Sequence, residues 1–240
     1  MSRQALLLLP GLLCDARLWR DQVNALADIA EPIVADLTRD DSVEAMARRA
    51  LAAAPGRFAL AGLSMGGYVA FAILRLAPER VARLCLMDTA ARADTEEQRR
   101  RRRGLMALTR RGRFQGVTPR LLPALLHPDR LGDAALTGEV MEMAARVGRD
   151  AFLRQQQAIL NRPDSRPMLP GITAPTRVLV GSGDQLTPPE LAREIADGIP
   201  GASLRVLEGC GHLPPLERPD LVSATLRDWL ASPRLEIAAP

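Results

Sequence analysis

The chain has 240 residues, of which 47% are hydrophobic and 25% are charged, as in globular proteins with a large core. No apolar run approaches the ~18 residues that a membrane span requires, so the sequence predicts no membrane-spanning segment. The formal net charge of +4 permits attraction of anions, but an aromatic content of 3% leaves few side chains for base stacking and disfavours nucleic acid as a partner.

The first apolar run, Ala5-Leu6-Leu7-Leu8-Leu9, predicts a central strand that ends before Pro10-Gly11. Basic and apolar residues followed by Cys14 also occur in secretion signals. Here the apolar run is too short, and Leu12 and Leu13 stand where a cleavage site needs small side chains. The three cysteines form no CxxC pair, as expected in a reducing compartment. We therefore expect a cytoplasmic protein.

Strands and helices alternate along the first part of the chain, and this alternation predicts an α/β fold with a doubly wound, mostly parallel sheet. Apolar runs predict strands over 5–9, 33–35, 58–61 and 82–87. Apolar residues at helical spacing predict helices over 17–28, 43–54 and 65–76, the second with Ser42 as its N-cap. The ligand site of such a sheet lies at the carboxyl ends of its strands.

A serine stands at one of these carboxyl ends, in Gly62-Leu63-Ser64-Met65-Gly66. Glycines two residues either side of it let the backbone turn sharply between a strand and a helix, which pushes the hydroxyl out of the sheet edge. A hydrolase places its nucleophile at such a turn. Ser64 is therefore the candidate nucleophile.

An acid and a base follow later predicted strands. Asp184 comes after the apolar run 176–181, and His212 lies in a Gly/Pro-rich loop after the strand over 204–207. The chain order Ser, Asp, His is that of α/β-hydrolases and differs from the orders of chymotrypsin and subtilisin. Asp88, at the end of the strand over 82–87, is a second candidate for the acid.

With these motifs and Leu9-Pro10-Gly11-Leu12, nearly the whole chain resembles the α/β-hydrolase superfamily. It is most similar to small esterases and lactonases, such as 3-oxoadipate enol-lactonases and the carrier-protein methyl esterase of biotin synthesis. The resemblance implies an oxyanion hole formed by the backbone N–H groups of Met65 and Leu12. Many relatives have His-Gly where this chain has Pro10-Gly11, so the usual side chain that braces this loop is absent. Because Gly183-Asp184 followed by Thr-Pro-Pro matches the common acid loop, Asp184 is favoured over Asp88.

The alternation of strands and helices breaks between Asp88 and Thr176, where helical patterns rich in Arg, Leu, Ala and Met predominate. We expect a helical cap with its return linker over 89–173 and an α/β-hydrolase core over 1–88 and 174–240. The predicted cap helices are 95–108, 119–126, 133–147 and 150–160.

An arginine run, Arg99 to Arg103, lies on the first of these helices, and Arg110, Arg111 and Arg113 follow it. The favoured interpretation is a solvated helix face in which Glu96 and Glu97 pair with Arg100 and Arg101. The alternatives are an acidic carrier protein or a carboxylated substrate and, last, nucleic acid.

Two polar residues outside the candidate triad are assigned structural roles. His127 has no Cys or His at ligand spacing and is expected at the surface, so neither a metal nor another cofactor is expected. Glu217 is interpreted as an N-terminal charge of the last helix.

These patterns predict a serine hydrolase that cleaves a small carboxylic ester or lactone through an acyl-enzyme, with Ser64, Asp184 and His212 as its triad. Acyl transfer, thioester cleavage or perhydrolysis on the same triad stays open, because sequence spacing does not fix the second nucleophile. A non-catalytic relative that binds a ligand or a protein partner is the alternative of a different class.

Overall fold

The computed structural model describes residues 3–112 and 114–232. Its strands are β1 (Gln4–Leu9), β2 (Ala30–Val34), β3 (Phe58–Leu63), β4 (Val81–Met87), β5 (Thr176–Gly181) and β6 (Ser203–Leu207). They form one sheet in the order β2-β1-β3-β4-β5-β6, and every neighbouring pair is parallel. The α-helices are α1 (Arg20–Leu26), α2 (Val43–Ala53), α3 (Met65–Leu76), α4 (Glu96–Arg110), α5 (Leu122–Leu125), α6 (Ala134–Leu160), α7 (Pro189–Gly198), α8 (Pro214–Glu217) and α9 (Pro219–Ala231).

Strand β1 illustrates why the central strands are apolar at nearly every position, since its side chains are buried on both faces of the sheet. Leu7 and Leu9 belong to one hydrophobic cluster, which α2, α3 and α7 help to form. Leu6 and Leu8 point the opposite way, into a second cluster with α1 and α9. A strand covered by helices on both faces must be apolar on both. The predicted doubly wound α/β fold is confirmed.

The predicted elements agree with the structure except at some boundaries. Helix α3 coincides with its prediction, and the Ser42 side chain accepts the N–H of Ala45 as the predicted N-cap of α2. Strand β2 begins at Ala30 and contains Pro32, whereas the sequence predicts a strand from Ile33. Proline is tolerated there because β2 is an edge strand, in which one side of the backbone needs no partner strand.

The segment between β4 and β5 contains α4, α5 and α6 and no strand among its described residues. The two helices predicted over 133–147 and 150–160 are both present as the two halves of α6, on either side of a kink at Gly148, whose backbone is not helical. Gly148 has φ 77°, a conformation that glycine adopts without strain. The division into a core and a cap stays a prediction, and Arg113 lies outside the described residues. In the part of the chain that the structure describes, no helix is long and apolar enough to cross a membrane.

Candidate active site

Ser64 lies at a sharp turn between β3 and α3. Its φ of 54° and ψ of −114° are strained for a residue with a side chain. Three hydrogen bonds hold this conformation: Ser64 N–H to Met87 O at 2.9 Å, Gly67 N–H to Ser64 O at 2.9 Å and Thr89 Oγ1 to Ser64 O at 2.8 Å. The flanking glycines allow the close approach, since a Cβ on Gly66 would lie 2.2 Å from the Leu9 carbonyl oxygen. The predicted strand-to-helix turn is therefore present.

His212 joins the serine to a carboxylate. Its Nε2 atom lies 2.9 Å from Ser64 Oγ, and its Nδ1 atom lies 2.8 Å from Asp184 Oδ2. The histidine and the aspartate are buried, with 3% of each exposed, while Ser64 is partly exposed. The structure thus brings together three predicted residues from the loops after β3, β5 and β6.

Asp184 is held as a carboxylate by several donors. Its oxygens accept hydrogen bonds from Leu186 N–H at 2.8 Å, Thr187 N–H at 3.1 Å and Thr187 Oγ1 at 2.6 Å. Burial by itself raises the pKa of Asp184, but His212 and the hydrogen bonds of Thr187 outweigh burial, and the pKa is lowered. An ionised Asp184 holds the proton of the imidazole on Nδ1 and leaves Nε2 free to accept one.

Asp88, the other candidate acid, differs from Asp184 in its surroundings. It is fully buried and accepts Gly181 N–H at 2.9 Å through Oδ1, while Oδ2 has no hydrogen-bond partner among the described residues. Burial, and secondarily the charge of Asp184, raise the pKa of Asp88 well above its ordinary value. The His212 ring hydrogen-bonds to Asp184 at 2.8 Å, and no hydrogen bond joins it to Asp88 among the described residues, so this geometry favours Asp184 as the acid.

The resemblance assigns the expected oxyanion hole to the backbone N–H groups of Leu12 and Met65. Met65 is the first residue of α3, where backbone N–H groups have no acceptor within the helix. Leu12 lies in the loop after β1, next to Gly11, at which a Cβ would meet the Leu63 side chain at 3.0 Å. No described residue accepts a hydrogen bond from either N–H group. Both amides are therefore available for a ligand oxygen.

Metal-ligating atoms of Asp88, Asp184 and His212 lie within 4.8 Å of one another. Both ring nitrogens of His212 already hydrogen-bond to Asp184 and Ser64, so a metal ion would have to displace one of these partners. This arrangement fits proton transfer, and we assign no metal or cofactor to it. Cys210, two residues before His212, is also buried, and burial raises the pKa of its thiol.

Comparison with known proteins agrees with this geometry. Residues 6–225 match the model of the alpha/beta hydrolase family. The chain belongs to the alpha/beta hydrolase family. The predicted resemblance and enzyme class, a hydrolase, are confirmed at this level.

Relatives of this alpha/beta hydrolase include a thermophilic esterase from Thermogutta terrifontis, whose malate-bound structure has a TM-score of 0.86 and 31% sequence identity over 95% of this chain and 90% of that chain. The pimeloyl-[acyl-carrier protein] methyl ester esterase of Neisseria meningitidis serogroup B is 29% identical over 176 residues, which are 70% of this chain and 67% of that protein. The enol-lactonase from Burkholderia xenovorans LB400 shares the fold, with a TM-score of 0.85 and 23% identity over 97% of this chain and 93% of that chain.

The sequence interpretation of Glu217 is wrong. Glu217 is the last residue of α8 rather than an N-terminal charge of the last helix, and only 1% of it is exposed. Its carboxylate accepts N–H groups of Gly211 at 3.0 Å, Leu213 at 3.1 Å and His127 at 2.8 Å. Glu217 therefore holds both neighbours of His212. His127, expected at the surface, is partly buried, with 21% of its side chain exposed.

The arginine run of this hydrolase is not simply a solvated helix face. The predicted pairs of Glu96 and Glu97 with Arg100 and Arg101 are not among the ion pairs of the described residues, and Glu96 instead lies 3.5 Å from Arg103. Arg102 turns inward, where its Nε lies 2.8 Å from Asp94 Oδ2. The other arginines of the run remain wholly or partly exposed.

Sequence reasoning missed Glu217 as a support of the base and Gln155 as a support of the loop after β1. Gln155 is fully buried in α6, and its side chain bonds the backbone of Leu13 and Leu37. Glu217 follows His212 by five residues in the sequence, and this spacing could have suggested a contact. No local signal in the sequence pointed to Gln155.

Proposed function

We propose that this alpha/beta hydrolase cleaves a small carboxylic ester or lactone through an acyl-enzyme, with Ser64, His212 and Asp184 as a catalytic triad. The observation that carries the proposal is the continuous hydrogen-bonded chain from Ser64 Oγ through both ring nitrogens of His212 to Asp184. Nucleophile, base and orienting acid lie within the distances that proton transfer requires.

Acylation follows from this geometry. His212 Nε2 takes the proton of Ser64 Oγ as the oxygen attacks the acyl carbon, and the carbonyl π electrons move to the carbonyl oxygen. The ionised Asp184 stabilises the imidazolium that forms. When the tetrahedral intermediate collapses, the bond from the acyl carbon to the leaving oxygen breaks, and His212 donates its proton to the alcohol or enol. For a lactone, the leaving oxygen stays attached to the acyl chain.

Deacylation repeats these steps with water as the nucleophile. His212 takes a proton from the water as it attacks the acyl-enzyme, and returns the proton to Ser64 Oγ when the acid leaves. In both halves the negative oxygen faces the N–H groups of Leu12 and Met65. One such donor is typically worth about 10²- to 10³-fold in rate.

An acyl group attached to an acidic carrier protein is one substrate form within this class. The similarity to pimeloyl-[acyl-carrier protein] methyl ester esterases supports it. So do the exposed side chains of Arg100, Arg101 and Arg103 on α4, because positive side chains attract an acidic protein surface. Free small esters are the competing form, and a comparison of carrier-bound and free acyl esters separates the two.

The test uses p-nitrophenyl esters of graded acyl length with the wild-type protein and its Ser64→Ala variant. We expect turnover by the wild type and a loss of at least about 10³-fold in the variant. If a fluorophosphonate labels Ser64 but no p-nitrophenyl ester is turned over, the serine is activated, and lactones and carrier-bound esters are tested next. Absence of both labelling and turnover would contradict the proposal and favour a binding protein.

A further inference from the structure

Helix α6 lies against the loops that follow β1 and β2. Before the kink at Gly148, Arg146 Nε lies 2.7 Å from Asp15 Oδ2, and Glu139 Oε2 lies 2.7 Å from Arg17 Nε. After the kink, Arg154 Nε donates to the Thr38 carbonyl oxygen at 2.8 Å. The two halves of the helix thus contact both loops.

Gln155 makes the most deeply buried of these contacts. None of it is exposed, and both ends of its amide are used: Oε1 accepts Leu13 N–H at 3.1 Å, and Nε2 donates to Leu37 O at 3.2 Å. The orientation of the amide is fixed by its partners, because an N–H group needs an acceptor and a carbonyl needs a donor. One side chain therefore links α6 to two loops of the sheet edge.

The backbone that Gln155 holds is strained. Leu13 has φ 59°, in the left-handed region that costs a residue with a side chain about 1–2 kcal/mol. Cys14 N–H bonds to Gly11 O at 3.2 Å, so Leu12 and Leu13 are the central residues of a tight turn. Such a conformation persists only where the surroundings fix it. The Gln155 side chain fixes the peptide between Leu12 and Leu13, adjacent to the expected oxyanion donor.

We infer that Gln155 is the positioning residue of the oxyanion hole, which holds the Leu12 N–H in place through the Leu13 amide. Pro10-Gly11 offers no side chain that could form such a hydrogen bond, and the brace comes instead from α6, far along the chain. The inference rests on the proposed function. The orientation of the Leu12 N–H group then depends on how α6 packs against the loop after β1.

The test compares Gln155→Met, which keeps the length of the side chain but neither hydrogen bond, with Gln156→Met as the matched control. Gln156 is also buried in α6, but its Oε1 accepts a hydrogen bond from Arg102 rather than from the loop after β1. Misplacement of a catalytic group by about 1 Å lowers the rate by up to about 10²-fold. We expect kcat for p-nitrophenyl esters to fall about 10- to 100-fold in Gln155→Met, with KM within about 3-fold, and both constants to stay within about 3-fold in the control.

A transition-state readout separates positioning from loss of structure. A trifluoromethyl ketone adds to Ser64 and places a negative oxygen in the oxyanion hole, so its inhibition constant should rise in proportion to the loss of kcat/KM. Thermal unfolding gives the folded fraction by which rates are normalised. If Gln155→Met does not fold, Gln155→Asn, which is one methylene shorter, should show the same pattern with a smaller loss.

The inference is overturned if the folded Gln155 variants keep wild-type kcat and ketone affinity, or if KM alone changes. In either case, a wild type that turns over esters and a Ser64→Ala variant that does not would leave the proposed function intact. A wild type that turns over no ester and is not labelled by a fluorophosphonate would remove the proposed function, and the inference with it.

Discussion

The buried carboxylate of Glu217 accepts a hydrogen bond of 2.8 Å from the backbone N–H of His127, ninety positions earlier in the chain. The same carboxylate accepts the N–H groups of Gly211 and Leu213. A further bond joins His212 N–H to the Leu125 carbonyl oxygen at 2.9 Å. The loop that carries the candidate base is therefore fastened to the segment around α5.

Glu217→Gln should lower both stability and activity. The amide has one acceptor oxygen in place of two, and its NH₂ group faces backbone donors, so buried N–H groups lose their partners. Each such loss costs about 1–3 kcal/mol. We expect a lower melting temperature and a kcat about 10-fold or more below wild type, measured by thermal unfolding and ester hydrolysis.

The exposed Glu208, in the loop before Gly209, offers the control. Glu208→Gln should leave both quantities near wild type. If Glu217→Gln matched this control, the role of Glu217 in holding the histidine loop would be wrong.

The two candidate acids should separate clearly by substitution. Asp184→Asn removes the charge that fixes the tautomer of His212 and should reduce kcat by about 10³- to 10⁴-fold. Asp88→Asn keeps an acceptor for Gly181 N–H, and no hydrogen bond joins Asp88 to His212 among the described residues, so kcat should stay within about 3-fold. Steady-state ester hydrolysis measures both. The opposite order of the two losses would assign the acid to Asp88.

The raised pKa of Asp88 predicts how stability depends on pH. As pH rises above the ordinary value of 3.8, the unfolded chain releases the proton of Asp88 while the folded protein keeps it, so this residue lowers stability progressively up to its folded pKa. Asp88→Asn removes the effect. The free energy of unfolding of the variant relative to wild type should increase as the pH rises above 3.8, by about 1.4 kcal/mol per pH unit, until the pH reaches the folded pKa of Asp88.

Denaturant unfolding of both proteins at a series of pH values measures this difference. A difference that stays constant with pH would show that Asp88 ionises alike in the folded and unfolded states, and a difference that shrinks would show the opposite shift of its pKa.

Two glycine-to-alanine substitutions should have opposite effects. In Gly66→Ala the new Cβ would lie 2.2 Å from the Leu9 carbonyl oxygen, so β1 or the turn at Ser64 must shift, with loss of stability and of kcat. Gly104 lies inside α4 with nothing within 4 Å of a Cβ, and Gly104→Ala should stabilise the protein by about 0.5–1 kcal/mol. Thermal unfolding and ester hydrolysis of both variants check the contrast. Loss of stability in Gly104→Ala would mean that α4 packs differently.

Several features could be predicted from the sequence because their physical causes are local. The apolar run of β1 reflects burial on both faces, and the Gly-x-Ser-x-Gly spacing reflects the turn at Ser64. Asp184 and His212 could be placed because parallel strands bring their carboxyl ends to one edge. The predicted start of β2 was wrong because it depended on tertiary structure. Pro32 argues against a strand, but β2 lies at the edge of the sheet, where proline is tolerated.

The sequence by itself determined the sheet, the turn at Ser64 and the order of the three polar residues, since these depend on periodicity and on short-range backbone geometry. The sequence context of Asp184 favoured it over Asp88, but only the tertiary structure shows that Asp184 lies within hydrogen-bond distance of His212. The tertiary structure also decided the roles of Glu217 and Gln155. Their partners, His127 and Leu13, are distant along the chain, and a contact across such a distance depends on how the packed helices and loops meet.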